Sequence, residues 1–155
     1  MKKIILIISI ALLISCNSKT ETIKGDLYFK LVNTTSPKGM SDQEIEQLKQ
    51  TLNNFKTDTI SDVREKELFN YFKKLDEQQL LGLPYIMIKQ GNGETKHIIL
   101  SKKEYEKIKN FSLDYLQTNH KKVTLELEST IKDSILYSDN IISIEESDGE
   151  TFSSK

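Results

Sequence analysis

The chain has 155 residues, with 22 basic and 23 acidic side chains, two histidines and one cysteine. The near balance of charge argues against a nucleic-acid partner, which requires a strongly basic face. A single cysteine excludes an internal disulfide, and the length is that of one ordinary domain with a sizeable core.

The chain begins with an apolar segment that is too short to cross a membrane. Lys2 and Lys3 give a positive start, and residues 4–14 are apolar apart from Ser9. This segment has about half of the ~20 residues that a membrane-spanning helix needs. A positive start followed by a short apolar run is typical of a secretory signal peptide, which is removed on maturation.

The only cysteine lies at the end of this run. The sequence Leu13-Ile14-Ser15-Cys16 resembles the lipobox of bacterial lipoproteins: an aliphatic residue, a variable one, a small one and then cysteine. The resemblance implies that residues 1–15 are a lipoprotein signal peptide and that the Cys16 thiol carries a diacylglycerol. It also implies that the new amino terminus is often acylated. Two long chains hold a protein stably at a bilayer, whereas one holds it only marginally.

The residues after Cys16 bear on the destination of the protein. In enteric-type sorting an aspartate in the next position retains a lipoprotein in the inner membrane, so Asn17 implies the outer membrane. The sequence SKTE that follows lacks the acid-rich cluster of some surface-exported lipoproteins, which implies a domain facing the periplasm. Residues 16–25 are polar and end in Gly25, and we expect a lipidated N-terminus and a flexible tether there.

Residues 26–155 are expected to form one domain. Residues 26–33 are rich in aromatic and aliphatic side chains and predict a first strand. Ser41 opens a first helix, with Glu44 in capping-box spacing. The apolar residues of this helix lie on one stripe: Ile45, Leu48, Leu52 and Phe55.

A second helix and a hairpin follow. The second helix is predicted to begin near Ser61 or Asp62 and to end before Pro84. Its predicted buried face contains Leu68, Phe72 and Leu75. The sequence GNGE is typical of a turn and lies between two apolar runs, which predicts a β-hairpin over residues 85–100.

The second half of the domain is predicted to contain a third helix and two or three strands. Ser101 caps the helix, with Glu104 in the capping-box position. Residues 123–128 alternate between apolar and polar side chains, and residues 140–146 predict a further strand. Helices do not alternate with single strands, so we expect an α+β fold rather than a doubly wound one. This fold is a mostly antiparallel sheet with about three helices packed on one face.

No catalytic constellation is visible, and no cofactor or metal is expected. His97 and His120 lie 23 residues apart with no spacing typical of a metal pair. Glu126 and Glu128 share a strand face roughly 7 Å apart, a separation that suits paired carboxylates, although a solvated sheet face gives the same pattern. The tyrosines suit either core packing or a small groove for a sugar or a peptide.

We therefore expect a membrane-anchored envelope lipoprotein with a non-enzymatic binding or interaction domain, such as an immunity-like or inhibitor protein. The alternatives are an envelope hydrolase that uses Glu126 and Glu128, and a structural assembly component. The expected partners are the membrane, through the lipid on Cys16, and an envelope protein. Residues 58–60 (DTI) and 133–135 (DSI) resemble short sites that are O-glycosylated in some bacterial periplasmic proteins.

Overall fold

The computed structural model describes residues 19–29, 39–54 and 62–149. The predicted signal peptide, Cys16 and the DTI sequence at 58–60 lie outside the described residues. No helix within the described ranges is long and apolar enough to cross a membrane. The elements in chain order are β1 (Lys19–Tyr28), α1 (Asp42–Asn54), α2 (Val63–Glu77), β2 (Tyr85–Lys89), β3 (Thr95–Leu100), α3 (Lys102–Ile108), α4 (Leu113–Thr118), β4 (Lys121–Lys132) and β5 (Ile135–Asp148).

The five strands close into a barrel in the order β1-β2-β3-β5-β4. β3 and β5 run parallel, with Ile98 opposite Leu136, and the other pairs are antiparallel. The predicted α+β fold, a mostly antiparallel sheet with about three helices packed on one face, is therefore wrong, because the sheet is mixed and closes into a barrel. The alternation in residues 123–128 indicates only that one face of a strand is buried, and a barrel interior meets that condition as well as an open sheet does.

β1 begins at Lys19 rather than at residue 26, so the flexible tether predicted for residues 16–25 is wrong from Lys19 onward. Residues 19–26 pair with β4, and residues 26–28 pair with β2. Gly25 lies at this change of partner, where a Cβ would be 2.5 Å from the carbonyl oxygen of Lys89. Glycine at this position therefore allows β1 to approach β2 and close the barrel.

Apolar side chains fill the barrel and form what we call the barrel core. The alternation predicted for β4 is confirmed, because Val123, Leu125 and Leu127 are fully buried. α3 and α4 join this core through Ile108 and Leu116. The other strands contribute Ile23, Leu27, Ile86, Ile88, Ile98, Leu100 and Ile141.

A second apolar cluster, the outer cluster, lies between the barrel and the helices α1 and α2. Leu52 of α1 and Leu75 of α2 belong to it, together with Ile99 of β3 and Ile135 of β5. The neighbours of Ile99 in β3 belong to the barrel core, so Ile99 itself points away from the barrel. The helices of this protein thus pack in two separate places.

The two predicted capping boxes differ in how their glutamates are used. Glu44 completes its box, since the Ser41 amide donates to its carboxylate at 2.7 Å. The Ser101 hydroxyl likewise accepts from the Glu104 amide, but the Glu104 carboxylate accepts a bond from the Ile141 amide of β5 at 2.8 Å. The second box therefore ties α3 to the barrel.

The closed five-stranded barrel of this chain is similar in architecture to the OB-fold, a five-stranded Greek-key barrel. Such widely shared folds host unrelated functions, so function has to be argued from the residues of a site.

Candidate functional site

An apolar cavity of about 620 Å³ lies between α2 and the outside of the barrel. Its floor includes Tyr85 of β2 and its partner Ile99 of β3. Its size falls within the ~300–1,000 Å³ of small-molecule sites. The remaining lining comes from one face of α2 (Leu68, Tyr71, Phe72 and Leu75), from the α2–β2 connection (Leu80, Leu81, Gly82 and Leu83), and from Gly39, Met40, His97, Ile98, Ser134, Ile135 and Leu136.

The mouth of the cavity exposes apolar surface to solvent. Leu68 is 54% exposed and Tyr71 is 44% exposed, although both line the cavity. Exposed apolar side chains that adjoin one another often mark interaction sites in soluble domains. The opening thus presents the kind of surface that a ligand covers.

Among the residues that the structure describes, the lining contains no aspartate, glutamate, lysine or arginine. The polar side chains of this described lining are the two tyrosines, His97 and Ser134. Burial raises the pKa of the Tyr71 hydroxyl, so this phenol is neutral at physiological pH. The cavity is therefore apolar, with a few hydrogen-bonding groups at its surface.

The path of the α2–β2 connection is fixed by the backbone conformation of Gly82 and by a hydrogen bond to its carbonyl. Gly82 has a φ of 76°, and a Cβ there would lie 2.5 Å from Cγ1 of Ile45 in α1. The Met40 amide donates to the Gly82 carbonyl at 2.8 Å, which joins the connection to the residues that precede α1. A glycine is required because L side chains rarely adopt this conformation and because the space is occupied.

The two histidines occupy different parts of the fold. His97 lies on β3, is exposed and lines the cavity. His120 is exposed in the turn before β4, where its φ is 49° and its carbonyl accepts from the Gly149 amide. In the part of the chain that the structure describes, no group of three histidine, cysteine or acidic residues is placed to hold a metal ion.

The two glutamates of the predicted carboxylate pair lie outside the cavity. Glu126 and Glu128 alternate with the buried residues of β4 and so face away from the barrel. Glu126 pairs with Lys24 at 3.6 Å, and Glu128 accepts from the Asn140 side chain at 3.3 Å. Neither carboxylate lines the cavity.

The DSI sequence at 133–135 forms the β4–β5 turn and the first residue of β5. Asp133 and Ser134 are exposed with φ of 50° and 69°, and Ile135 is buried. Of the tyrosines, Tyr71 and Tyr85 line the cavity, whereas Tyr105 and Tyr115 pack against the barrel core. Tyr85 and Tyr137 also pack against the outer cluster, so core packing is confirmed for four tyrosines. The groove for a sugar or a peptide stays a prediction.

Sequence reasoning did not identify the cavity, and one of its expectations for α2 is wrong. Leu68 was expected on the buried face of the helix, together with Phe72 and Leu75, yet it is exposed. Its spacing places it on the apolar face, but periodicity does not show whether the neighbouring element fills the space opposite. The run Leu80-Leu81-Gly82-Leu83, apolar but outside any helix or strand, was the signal available in the sequence.

No protein-family model, curated protein or solved structure matches this chain.

Proposed function

We propose that this protein is a lipoprotein of the bacterial cell envelope whose folded domain binds an apolar ligand without catalysis. The binding part rests on one observation, the apolar cavity between α2 and the barrel. The anchor rests on the resemblance of Leu13–Cys16 to a lipobox. The proposed location is the periplasmic side of the outer membrane.

The size and the lining of the cavity support a binding role. Protein interiors are close-packed and hold few voids larger than a water molecule. An apolar cavity of about 620 Å³ that opens to solvent is a site of the size that small molecules occupy, not a void of this kind. Because the described part of its lining has no side chain with a permanent charge, the ligand that matches this surface is itself uncharged and largely apolar.

The position of the cavity also supports a binding role, because it corresponds to the place where similar barrels bind ligands. OB-fold barrels bind ligands on the face of strands 2 and 3, between the β1–β2 and β4–β5 connections. In this chain α1 and α2 form the β1–β2 connection, and Ser134 in the β4–β5 turn lines the cavity. The lining chemistry favours an apolar ligand over the oligonucleotides and oligosaccharides of other barrels.

The hydrolase alternative has less support than the binding role. A general acid or base has to reach the substrate within hydrogen-bond distance. Glu126 and Glu128 face away from the barrel and lie outside the cavity, and Glu126 pairs with Lys24. We therefore propose no reaction at the cavity.

The test measures binding of a neutral apolar dye, N-phenyl-1-naphthylamine, to the chain that begins at residue 17. The described core residues lie between Ile23 and Ile144, so omission of residues 1–16 removes none of them. We expect saturable fluorescence enhancement at one site. Leu68→Asp should weaken binding at least about ten-fold, because dye that enters the mouth desolvates the carboxylate.

Ile142→Asp is the matched control. Ile142 is 52% exposed, close to the 54% of Leu68, but it does not line the cavity. The control should bind the dye as the unchanged chain does, with both variants retaining the same circular dichroism. A lack of saturable binding, or an equal loss in both variants, would refute the cavity as the binding site. Mass spectrometry that finds an unmodified thiol at Cys16 in native membranes would refute the anchor.

A further inference from the structure

We propose that the occupant of the cavity is one acyl chain of the lipid on Cys16 of the same molecule. This inference rests on the proposed function, because it requires the lipid anchor. It adds the identity of the ligand and a direct link between the anchor and the site.

The strand register brings the start of β1 close to the cavity. Lys19 pairs with Ile131 of β4, and Ile131 pairs with Leu136 of β5. Leu136 in turn pairs with Ile98 of β3, and both of these residues line the cavity. Neighbouring strands lie about 4.8 Å apart. Lys19 is therefore roughly 10 Å from the cavity lining at Leu136.

The length of chain between Cys16 and Lys19 sets a limit on the distance of the lipid. Three residues span at most about 10 Å, so Cys16 lies within roughly 20 Å of Leu136 by any path. An acyl chain spans roughly 15 Å, half of the ~30 Å hydrocarbon core, and the glyceryl thioether adds further length. With its linker, one chain of the lipid can therefore reach the lining at this limit, and it enters the cavity from any shorter separation.

The lining fits an acyl chain better than a polypeptide segment. An extended peptide brings backbone N–H and C=O groups that need partners when buried, and the described lining offers few polar side chains. An acyl chain has no polar group to satisfy and a narrow cross-section.

The energetics allow the chain to leave the bilayer. Lipid tails are about as apolar as leucine side chains, so the transfer itself is nearly neutral. The gain comes from dispersion contacts between the acyl chain and the apolar side chains of the described lining. Attachment to the same molecule gives the chain a high effective concentration at the site. Where three chains are attached, two remain in the bilayer and still hold the protein stably.

The experiment captures the occupant with a photoreactive residue. Leu68 is replaced by p-benzoylphenylalanine in the full lipidated protein, which is reconstituted in vesicles of deuterated dipalmitoylphosphatidylcholine and irradiated. Leu68 is suitable because it lines the cavity and yet is exposed, so a larger side chain does not disturb the core. Ile142, which is exposed to a similar extent outside the cavity, receives the same residue as the control.

The expected product joins tryptic peptide 16–19, through its lipid, to peptide 67–73. We expect at least ten times more of it than of the corresponding link to peptide 133–155 in the Ile142 control. An equal amount of ¹⁵N-labelled protein is mixed in before irradiation. The two peptides of each linked product should then be either both labelled or both unlabelled, because a link within one molecule joins peptides of the same chain.

Three results would overturn the inference. They are an adduct with deuterated phospholipid, linked peptides of mixed isotope, and no product above the control. If peptide 16–19 carries its lipid in these cases, the anchor stands and dye binding still tests the cavity. If that peptide carries no lipid, the proposed anchor fails together with the inference.

Discussion

The two apolar clusters of this protein are built from the same residue types but differ in how completely they are filled. In the barrel core, Val123, Leu125 and Leu127 have no exposed surface. In the outer cluster α2 leaves a cavity beside the barrel, and Leu68 and Tyr71 remain exposed at its mouth. From this difference we expect the closed barrel to supply most of the stability and the layer under α2 to be the part that accommodates the proposed ligand.

The largest expected effect on the free energy of unfolding comes from replacing one leucine in each cluster. Leu125→Ala should lower the free energy of unfolding by about 3–4 kcal/mol, because it opens a void in a close-packed interior. Leu75→Ala should cost about 2 kcal/mol, because it enlarges a space that solvent already reaches, so less new void is formed. Urea unfolding of the chain from residue 17, followed by circular dichroism, measures both values.

Equal costs for the two substitutions would contradict the comparison. They would mean that the outer cluster is packed as tightly as the barrel core. A larger cost for Leu75→Ala than for Leu125→Ala would reverse the assignment of stability to the barrel.

The next substitution tests how closely β1 approaches β2 where the barrel closes. Gly25→Ala should destabilise the protein by about 2 kcal/mol, because the added Cβ would lie 2.5 Å from the Lys89 carbonyl oxygen and 2.6 Å from Cγ2 of Ile88. Gly91→Ala is the control, since a Cβ at that position in the β2–β3 turn meets no atom within 4 Å. Thermal unfolding of both variants measures the difference, and the control should stay within about 0.5 kcal/mol of the unchanged chain. Similar values for the two variants would show that β1 has room to move away from β2.

The elements that sequence reasoning placed correctly are those defined by local patterns. The alternation of β4 and the cap at Ser41 depend on residues within a few positions of one another. Barrel closure depends on pairing between β1 and β4 and on the parallel pair of β3 and β5, which are distant in the chain. No local pattern encodes such pairings, so the same predicted strands are compatible with an open sheet and with a closed barrel.

β1 and the cavity were missed for related reasons. Within residues 19–25 only Ile23 points into the barrel core, and the other side chains are polar, so this part of the strand has the composition of a linker. The face of α2 that lines the cavity has the spacing of an ordinary buried face, and only the position of the barrel shows that it is partly uncovered. In both cases the contacts of the side chains depend on an element that is distant in the chain, β4 for β1 and the barrel for α2.

The smallest expected effect concerns Glu104, which helps to join α3 to the barrel and is almost fully buried. Burial raises the pKa of its carboxyl, and the hydrogen bonds from Lys107 at 2.6 Å and from the Ile141 amide at 2.8 Å lower it. The charges of Lys107 and Lys103 also lower it, and together these effects outweigh burial, so that the pKa lies below its ordinary value of 4.5. The folded protein therefore holds this proton less tightly than the unfolded chain does.

Stability from Glu104 is consequently complete above pH 4.5 and is lost as the pH falls through the lowered pKa of the folded state. Glu104→Gln keeps an acceptor for the Ile141 amide but removes the charge, so at pH 7 it should cost about 1 kcal/mol, the difference between a charged and a neutral hydrogen bond. Urea unfolding of both proteins at several pH values should show this gap narrowing toward pH 3, because glutamine does not titrate. A gap that stays constant would mean that folding does not shift the pKa of this carboxyl, and a gap that widens in acid would mean that burial raises this pKa more than Lys107 and the Ile141 amide lower it.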